Sequence, residues 1–224
     1  AAEQPAARAV LRELPARVAE HAEDLSGRTD WRGLADVVSG LDTVLSPDTG
    51  TMHLAAFLGV PVTATFLSSA WCHETGPAGR GHAVLQAVAD CAPCLESAPC
   101  ELGVACLEPF RLPEVRRCLA TGRADVLPRG VALYESRTDA LGTYFEFNPD
   151  QAEGDPHAAE RADLRALLTA HLWPHLPPGE RGELPPGAGR TQALAQALYQ
   201  ERHWLVPKDA HEARKADGIH ENAC

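Results

Sequence analysis

Apolar residues at helical spacing mark the first two elements of the chain. An apolar position recurs every four residues from Val10 to Ala22, which predicts one amphipathic helix across this stretch. Residues 25–29 interrupt the pattern. A second stripe with i, i+3, i+4, i+7 spacing follows, formed by Leu34, Val37, Val38 and Leu41. We therefore expect a second helix that begins near Asp30, a residue suited to an N-cap.

A strand, a helix and another strand follow in close succession. Residues 43–46 and 60–66 are apolar and β-branched, which predicts two short strands. A helix is predicted over residues 51–58, with Gly59 as its C′ residue. This order with short connections is a βαβ unit, so we expect an α/β fold with a parallel sheet and a right-handed crossover.

The pattern beyond residue 80 predicts further elements of both kinds. Strands are predicted at 83–85, 131–134 and 143–147, and a helix at 112–120. Residues 158–173 predict an amphipathic helix whose inward residues are Leu164, Leu167, Leu168 and Leu172. The proline- and glycine-rich residues 174–189 predict a linker, and residues 191–204 a last helix.

Charge and hydropathy exclude several function classes. The 224 residues include 20 Lys and Arg against 31 Asp and Glu, a net charge of −11, which disfavours general binding to nucleic acid. No apolar run approaches the roughly 18 residues of a transmembrane helix, and the start lacks the features of a signal peptide. We expect a cytoplasmic protein. Because the sequence does not begin with Met, we also expect it to be processed, truncated or a fragment.

Four of the seven cysteines lie close together, and their chemistry stays open. Cys91, Cys94, Cys100 and Cys106 follow a C-x2-C-x5-C-x5-C spacing. The first pair is a good chelate for zinc, but the whole spacing is not that of a standard zinc ribbon. A reduced or disulfide-linked loop without metal is the alternative, and we assign no metal ligand and no cofactor.

The segment most informative about function is the turn after the first predicted strand. It reads Asp48-Thr49-Gly50-Thr51-Met52-His53 and leads directly into a helix. Ligands of open α/β sheets bind at the carboxyl ends of the strands, and the first amides of a helix attract anions. Gly50 allows close backbone approach, Thr49 and Thr51 add hydroxyl groups, and Asp48 is suited to sugar hydroxyls or to capping.

Residue chemistry alone leaves two interpretations of this turn open. Asp, Thr and Gly are also the ordinary residues of a capped turn that binds nothing. An isolated histidine such as His53 is more often an interior residue with satisfied hydrogen bonds than a ligand. Trp71, in the loop after the second predicted strand, could line a cleft, but a lone tryptophan in a loop is more often a packing residue. Arg80 in the same loop could reach a phosphate, although the glycines around it do not follow a dinucleotide-binding pattern.

The turn and its surroundings resemble glycosyltransferase family nine, the heptosyltransferase family of lipopolysaccharide synthesis. The resemblance starts from residues 48–56 with Leu58-Gly59-Val60-Pro61 and includes Leu25-Ser26-Gly27-Arg28-Thr29. Gly76-Pro77-Ala78-Gly79 with His82, and the cysteine-bearing loop from Cys91, continue it to about residue 120.

The resemblance implies the donor-binding, Rossmann-like half of a GT-B glycosyltransferase with a helical carboxyl-terminal extension. Residues 1–124 would form a partial nucleotide-sugar-binding domain and residues 125–224 the extension. The implied reaction is inverting transfer from an ADP-heptose-like donor to a glycolipid acceptor, without a metal, at the inner face of the inner membrane with peripheral membrane contact. The acceptor domain and its catalytic base would be missing, so no catalytic residue is assigned.

The same resemblance implies roles for individual residues. Thr49, Gly50 and Thr51 would bind the donor diphosphate, and Asp48 and His53 would contact the sugar or steady the loop. Arg28, expected in a turn after a strand at the same sheet edge, would reach a phosphate. Two alternatives stay open, namely a non-catalytic nucleotide-sugar-binding or assembly module and another GT-B enzyme such as a sugar-nucleotide epimerase.

Overall fold

The described residues form a five-stranded sheet. The computed structural model describes residues 4–94, 99–121, 127–139, 141–148, 155 and 157–172. The strands are β1 (Val44–Pro47), β2 (Val62–Phe66), β3 (Ala83–Ala87), β4 (Val131–Asp139) and β5 (Gly142–Phe147). They lie in the order β1-β2-β3-β4-β5. The predicted α/β fold class is confirmed.

The sheet is mixed, whereas the sequence predicted a parallel one. β1, β2 and β3 are parallel, but β4 runs antiparallel to β3, with Ala87 opposite Val131. The Val88 amide donates to the Gly130 carbonyl at 2.9 Å, so β4 starts beside the end of β3. The connection between β3 and β4 therefore begins and ends at the same end of the two strands, so β4 runs in the opposite direction to β3.

The predicted first helix is two helices. They are α1 (Gln4–Glu13) and α2 (Ala16–Ala19), separated at Pro15. Proline has no amide hydrogen to donate and disfavours a helical residue before it, so the helix ends there. Val10 is 61% exposed, and the periodic stripe does not form a buried face.

The next two helices agree with the sequence. α3 (Trp31–Ser39) begins after Asp30, whose carboxylate accepts from the Gly33 amide at 2.8 Å, so the predicted N-cap is confirmed. α4 (Gly50–Phe57) connects β1 to β2 and is followed by Gly59 at φ +75°. The predicted βαβ unit is present.

Three further α-helices and a short 3₁₀ helix follow in the described residues. These are α5 (Cys72–Thr75), the 3₁₀ helix (Ala105–Arg111), α6 (Pro113–Thr121) and α7 (Ala158–Leu172). Leu164 and Leu168 were predicted to face inward but are each 45% exposed. The predicted linker at 174–189 and the last helix at 191–204 lie outside the described residues. Within the described chain, no helix has the length and apolar character to cross a membrane.

Two apolar clusters stabilise the sheet from its two faces. Successive side chains of a strand point to opposite faces of the sheet. In β3, Val84 belongs to one cluster and its neighbour Leu85 to the other, and both are fully buried. The first cluster contains Met52 and Ala55 of α4 and holds this helix against the sheet. The second contains Val115 and Cys118 of α6.

The chain divides into two compact units. The first comprises Ala1–Arg137 with Thr143–Gly154, and the second comprises Thr138–Gly142 with Asp155–Cys224. In the second unit, Arg165 of α7 donates to the Gly142 carbonyl at 2.9 Å. The domain boundary drawn at residue 124 stays a prediction, while the sheet itself includes β4 and β5.

Candidate functional site

The turn between β1 and α4 lies at the carboxyl end of the sheet's first strand. Ser46, the last buried residue of β1, shares a hydrogen bond with Thr49 between their hydroxyl oxygens at 3.0 Å. Thr49 is the N-cap residue of α4 by position, but its side chain makes no capping hydrogen bond. The strand therefore holds the threonine hydroxyl that would otherwise cap the helix.

The amides at the start of α4 are available to a ligand. The amides of Met52 and His53 donate to the Thr49 carbonyl, at 3.0 and 3.4 Å. Those of Gly50 and Thr51 have no acceptor among the described residues. Two adjacent unsatisfied amides at a helix start attract an anion, because the helix dipole adds to their positive partial charge. The side-chain cap that a capped turn would have is absent at Thr49, and an anion site at this turn stays a prediction.

Gly50 keeps the backbone of the turn accessible. A Cβ atom at this position would have the Trp31 ring as its nearest neighbour, with Cη2 at 3.9 Å. The Trp31 side chain belongs to the first residue of α3 and is 75% exposed. An open indole thus lies beside the start of α4. The sequence pattern does not single out Trp31, because this residue continues the apolar spacing of Leu34 and Val38.

Asp48 is held between two side chains. Its Oδ2 accepts a hydrogen bond from the Thr75 hydroxyl at 2.8 Å, and its Oδ1 lies 3.7 Å from His53 Nε2. The Asp48 side chain is 26% exposed and that of His53 49% exposed. Asp48 does not cap α4. His53 lies at the surface beside a carboxylate, so the interior interpretation of His53 is wrong. No sequence spacing indicated Thr75, which is 27 residues away from Asp48.

Arg28 is placed differently from the prediction. Residues 25–28 form a turn with Gly27 at φ +71°, and no strand precedes it in the described chain. The Arg28 guanidinium lies 3.2 Å from the Glu23 carboxylate and donates to the Asp24 carbonyl. The strand expected before this turn was wrong, and a donor-binding role for Arg28 stays a prediction.

The other residues singled out from the sequence are distributed around the sheet. Met52 is fully buried beneath the turn. Trp71 is 41% exposed and meets the His73 ring edge-on, with ring centroids 5.7 Å apart. Arg80 is exposed between two glycines of positive φ, Gly79 and Gly81.

The cysteine-rich segment forms no metal site within the described residues. Cys91, Cys94 and Cys100 are exposed, and none of the described cysteines forms a disulfide. No three described His, Cys, Asp or Glu side chains are grouped so as to hold a metal ion. Elsewhere, burial raises the pKa of the Cys118 thiol to about 11, so this cysteine is a core residue.

A second histidine, His82, has the opposite environment to His53. It is 4% exposed, its Nδ1 accepts from the Val62 amide at 3.2 Å, and its Nε2 faces the Ala78 carbonyl at 3.1 Å. These partners require a neutral ring with the proton on Nε2. Burial lowers the pKa of His82 from its ordinary value, although the Ala78 carbonyl opposes this effect. His82 is a structural residue.

Comparison with known proteins finds a family similarity over the first part of the chain. The model of the family "glycosyltransferase family 9 (heptosyltransferase)" matches residues 1–104, a segment that contains the turn and the βαβ unit. Searches of curated proteins and of solved structures found no match. Over residues 1–104, which include the site at the start of α4, the chain is similar to glycosyltransferase family 9.

Proposed function

We propose that the turn between β1 and α4 binds the diphosphate of a nucleotide-sugar donor. The observation that carries this proposal is the pair of unsatisfied amides of Gly50 and Thr51 at an exposed helix start. A diphosphate matches this site because it is an anion with several strong acceptor oxygens. The similarity of residues 1–104 to a glycosyltransferase family supports the same class of ligand.

The same amides are suited to help the reaction as well as binding. In inverting glycosyl transfer, the acceptor oxygen bonds to the anomeric carbon while the bond from that carbon to the diphosphate breaks. The acceptor hydroxyl loses its proton to a base, and the nucleoside diphosphate leaves with extra negative charge. Amides fixed beside this charge stabilise the transition state without having to reorganise. The base is not assigned to any residue of this chain.

Asp48 and His53 are suited to the sugar of the donor. The Asp48 carboxylate accepts hydrogen bonds and repels phosphate, so its natural ligand here is a sugar hydroxyl. His53, 3.7 Å away, adds a donor at the same place. We propose a heptose attached to ADP as the donor and a glycolipid as the acceptor. Such a reaction would take place in the cytoplasm, with peripheral contact to the inner membrane.

Trp31 supplies an exposed aromatic ring on which a nucleoside base can stack. Its ring is exposed and adjacent to Gly50, so a base or ribose next to the bound diphosphate would lie against the indole. Stacking of a base on an aromatic side chain contributes about 1–3 kcal/mol and tolerates different bases. We therefore assign Trp31 to affinity for the nucleotide, while selectivity among bases requires other contacts.

A thermal-shift panel tests the proposed function. ADP, UDP, GDP, CMP and ADP-heptose would be added to the wild-type chain and to Asp48→Ala. A ligand that binds only the folded state raises the melting temperature. At a concentration one hundred times its Kd, it adds about 2.7 kcal/mol to the free energy of unfolding. We expect ADP and ADP-heptose to raise the wild-type Tm most, and Asp48→Ala to lose the extra shift given by the heptose.

Each other outcome of the panel has a defined meaning. A larger shift with UDP would point to another GT-B enzyme of the epimerase kind. If nucleotides bind, a separate transfer assay with an acceptor-binding domain added follows, and binding without transfer would favour a non-catalytic module. No shift with any nucleotide would overturn the proposed donor site.

A further inference from the structure

The hydroxyl of Thr75 touches the site from a separate part of the chain. Thr75 is the last residue of α5, and it reaches Asp48 across the gap between the loop after β2 and the turn after β1. The distance of 2.8 Å between Thr75 Oγ1 and Asp48 Oδ2 is that of a good hydrogen bond to a carboxylate. One oxygen of Asp48 is thus occupied, which fixes the direction of the other.

The loop that carries Thr75 is itself fixed at its start by a buried glutamine. Gln86 on β3 is 4% exposed, and its Oε1 accepts from the Cys72 amide at 3.0 Å. Its Nε2 donates to the carbonyls of Leu67 and Ala70, at 3.2 and 3.1 Å. Because a buried amide with satisfied hydrogen bonds is costly to displace, the start of α5 has a defined position on the sheet.

The end of α5 is fixed by a close contact with β5. A Cβ atom on Gly76 would lie 2.3 Å from Phe145 Cζ and 2.4 Å from the Cys72 carbonyl oxygen. Only glycine allows the chain to pass so near to both groups. Thr75 immediately precedes this contact, so its hydroxyl is presented to Asp48 by a segment that is held at both ends.

We propose that Thr75 is a positioning residue that orients the Asp48 carboxylate for the sugar of the donor. The inference rests on the proposed function of the turn and adds a residue that acts through another. With Oδ2 bound to Thr75, Oδ1 faces His53 Nε2 and remains available to a sugar hydroxyl. Without the Thr75 hydroxyl, the carboxylate would rotate between several orientations, and only some of them would accept from the sugar.

Removal of the Thr75 hydroxyl is expected to weaken the binding of the sugar-bearing ligand but not that of the nucleotide alone. Thr75→Val removes the hydroxyl and keeps the shape, whereas Thr75→Ser keeps a hydroxyl. Binding of ADP and of ADP-heptose to the whole chain would be measured by titration calorimetry. We expect Thr75→Val to weaken ADP-heptose binding about tenfold, as the loss of a hydrogen bond to a charged group does, and to leave ADP binding within about twofold. Thr75→Ser should restore most of the loss.

Thr43→Val is the matched control. Thr43 also has an exposed side-chain hydrogen bond, to the Pro61 carbonyl at 3.2 Å, but it precedes β1 at the opposite end of the strand. We expect this substitution to leave the binding of both ligands unchanged. A sugar-dependent loss in Thr43→Val equal to that in Thr75→Val would overturn the proposal, since the effect would not be specific to Asp48.

The remaining outcomes separate the proposal from the function on which it rests. If the wild-type chain binds ADP-heptose and Thr75→Val binds it equally well, the positioning role is wrong and the donor site stands. If Thr75→Val loses ADP and ADP-heptose equally and melts earlier, Thr75 is a structural residue and the proposal is overturned. If the wild type binds neither ligand, the donor site and the positioning role both fail.

Discussion

Two histidines of the same unit show the difference between a surface site and the interior of the sheet. His53 lies in the first turn of α4, half exposed, 3.7 Å from a carboxylate. His82 lies directly before β3, with both ring nitrogens engaged by backbone groups and 4% of its surface exposed. The ring is the same, but solvent access and the available partners differ.

This contrast gives a rule for separating stability from ligand binding in the protein. A substitution in the interior leaves backbone groups without partners and lowers the free energy of unfolding. A substitution at the turn removes groups that face solvent, so it changes ligand binding and leaves stability nearly unchanged. The following predictions test this division, in order of decreasing effect.

The largest effect is expected at the close contact between Gly76 and Phe145. Gly76→Ala would place a Cβ 2.3 Å from Phe145 and 2.4 Å from a backbone oxygen, so the backbone must shift. We expect a loss of about 3 kcal/mol in the free energy of unfolding, the upper range for overpacking. Urea denaturation measures it. Gly40→Ala is the control, because its Cβ would meet only an ordinary contact, 3.5 Å from the Val37 carbonyl oxygen. Equal effects would refute the packing argument.

The interior histidine comes next. His82→Leu leaves the Val62 amide and the Ala78 carbonyl without their partner, which we expect to cost about 2 kcal/mol of unfolding free energy. Chemical denaturation with circular dichroism measures this loss. The variant should still bind ADP, since His82 makes no contact with the turn. A stable variant that fails to bind would contradict the division between the two regions.

The pH dependence of stability follows from the lowered pKa of His82. The unfolded chain protonates this ring near the ordinary value of 6.5, whereas the folded chain resists protonation to lower pH. The stability contributed by the neutral His82 ring is therefore fully present above pH 6.5 and is lost as the pH drops below this value. We expect Tm between pH 8 and pH 5 to fall more steeply in the wild type than in His82→Gln, whose amide does not titrate. Parallel curves would contradict the assignment.

The smallest effect on stability is expected at His53. Its pairing with Asp48 is exposed, and such pairs contribute about 0–1 kcal/mol. His53→Ala should change the unfolding free energy by less than about 0.5 kcal/mol while weakening ADP-heptose binding. Differential scanning calorimetry with and without the ligand separates the two quantities. A large drop in Tm without ligand would place His53 in the structural class with His82.

Local signals in the sequence were sufficient for the βαβ unit and its turn. Asp30 and Gly59 predicted the two helix boundaries correctly, because capping depends on residues within one turn. The direction of β4 and the roles of Thr75 and Gln86 depend on contacts between distant segments. These contacts leave no periodic trace, which is why Thr75 and Gln86 were missed, whereas Trp31 was missed because it continues the apolar spacing of its own helix.

The break in the first predicted helix has a local cause that periodicity concealed. Pro15 interrupts a stripe whose spacing is otherwise regular, and the backbone constraint decides the outcome there. The opposite happens at Gly50, where a residue poor for helices begins α4. On the proposed function, glycine at this position leaves room for a diphosphate beside the amides of Gly50 and Thr51.

Calorimetric titration of ADP into Gly50→Ala tests the central claim most directly. The added methyl group meets no protein atom closer than 3.9 Å, so it can obstruct a phosphate without disturbing the fold. We predict an unchanged or slightly higher Tm, because alanine favours a helix by about 1 kcal/mol over glycine, together with at least tenfold weaker ADP binding than in wild type and Gly40→Ala. Equal ADP affinity in all three proteins, or no binding by the wild type, would contradict a diphosphate site at the start of α4.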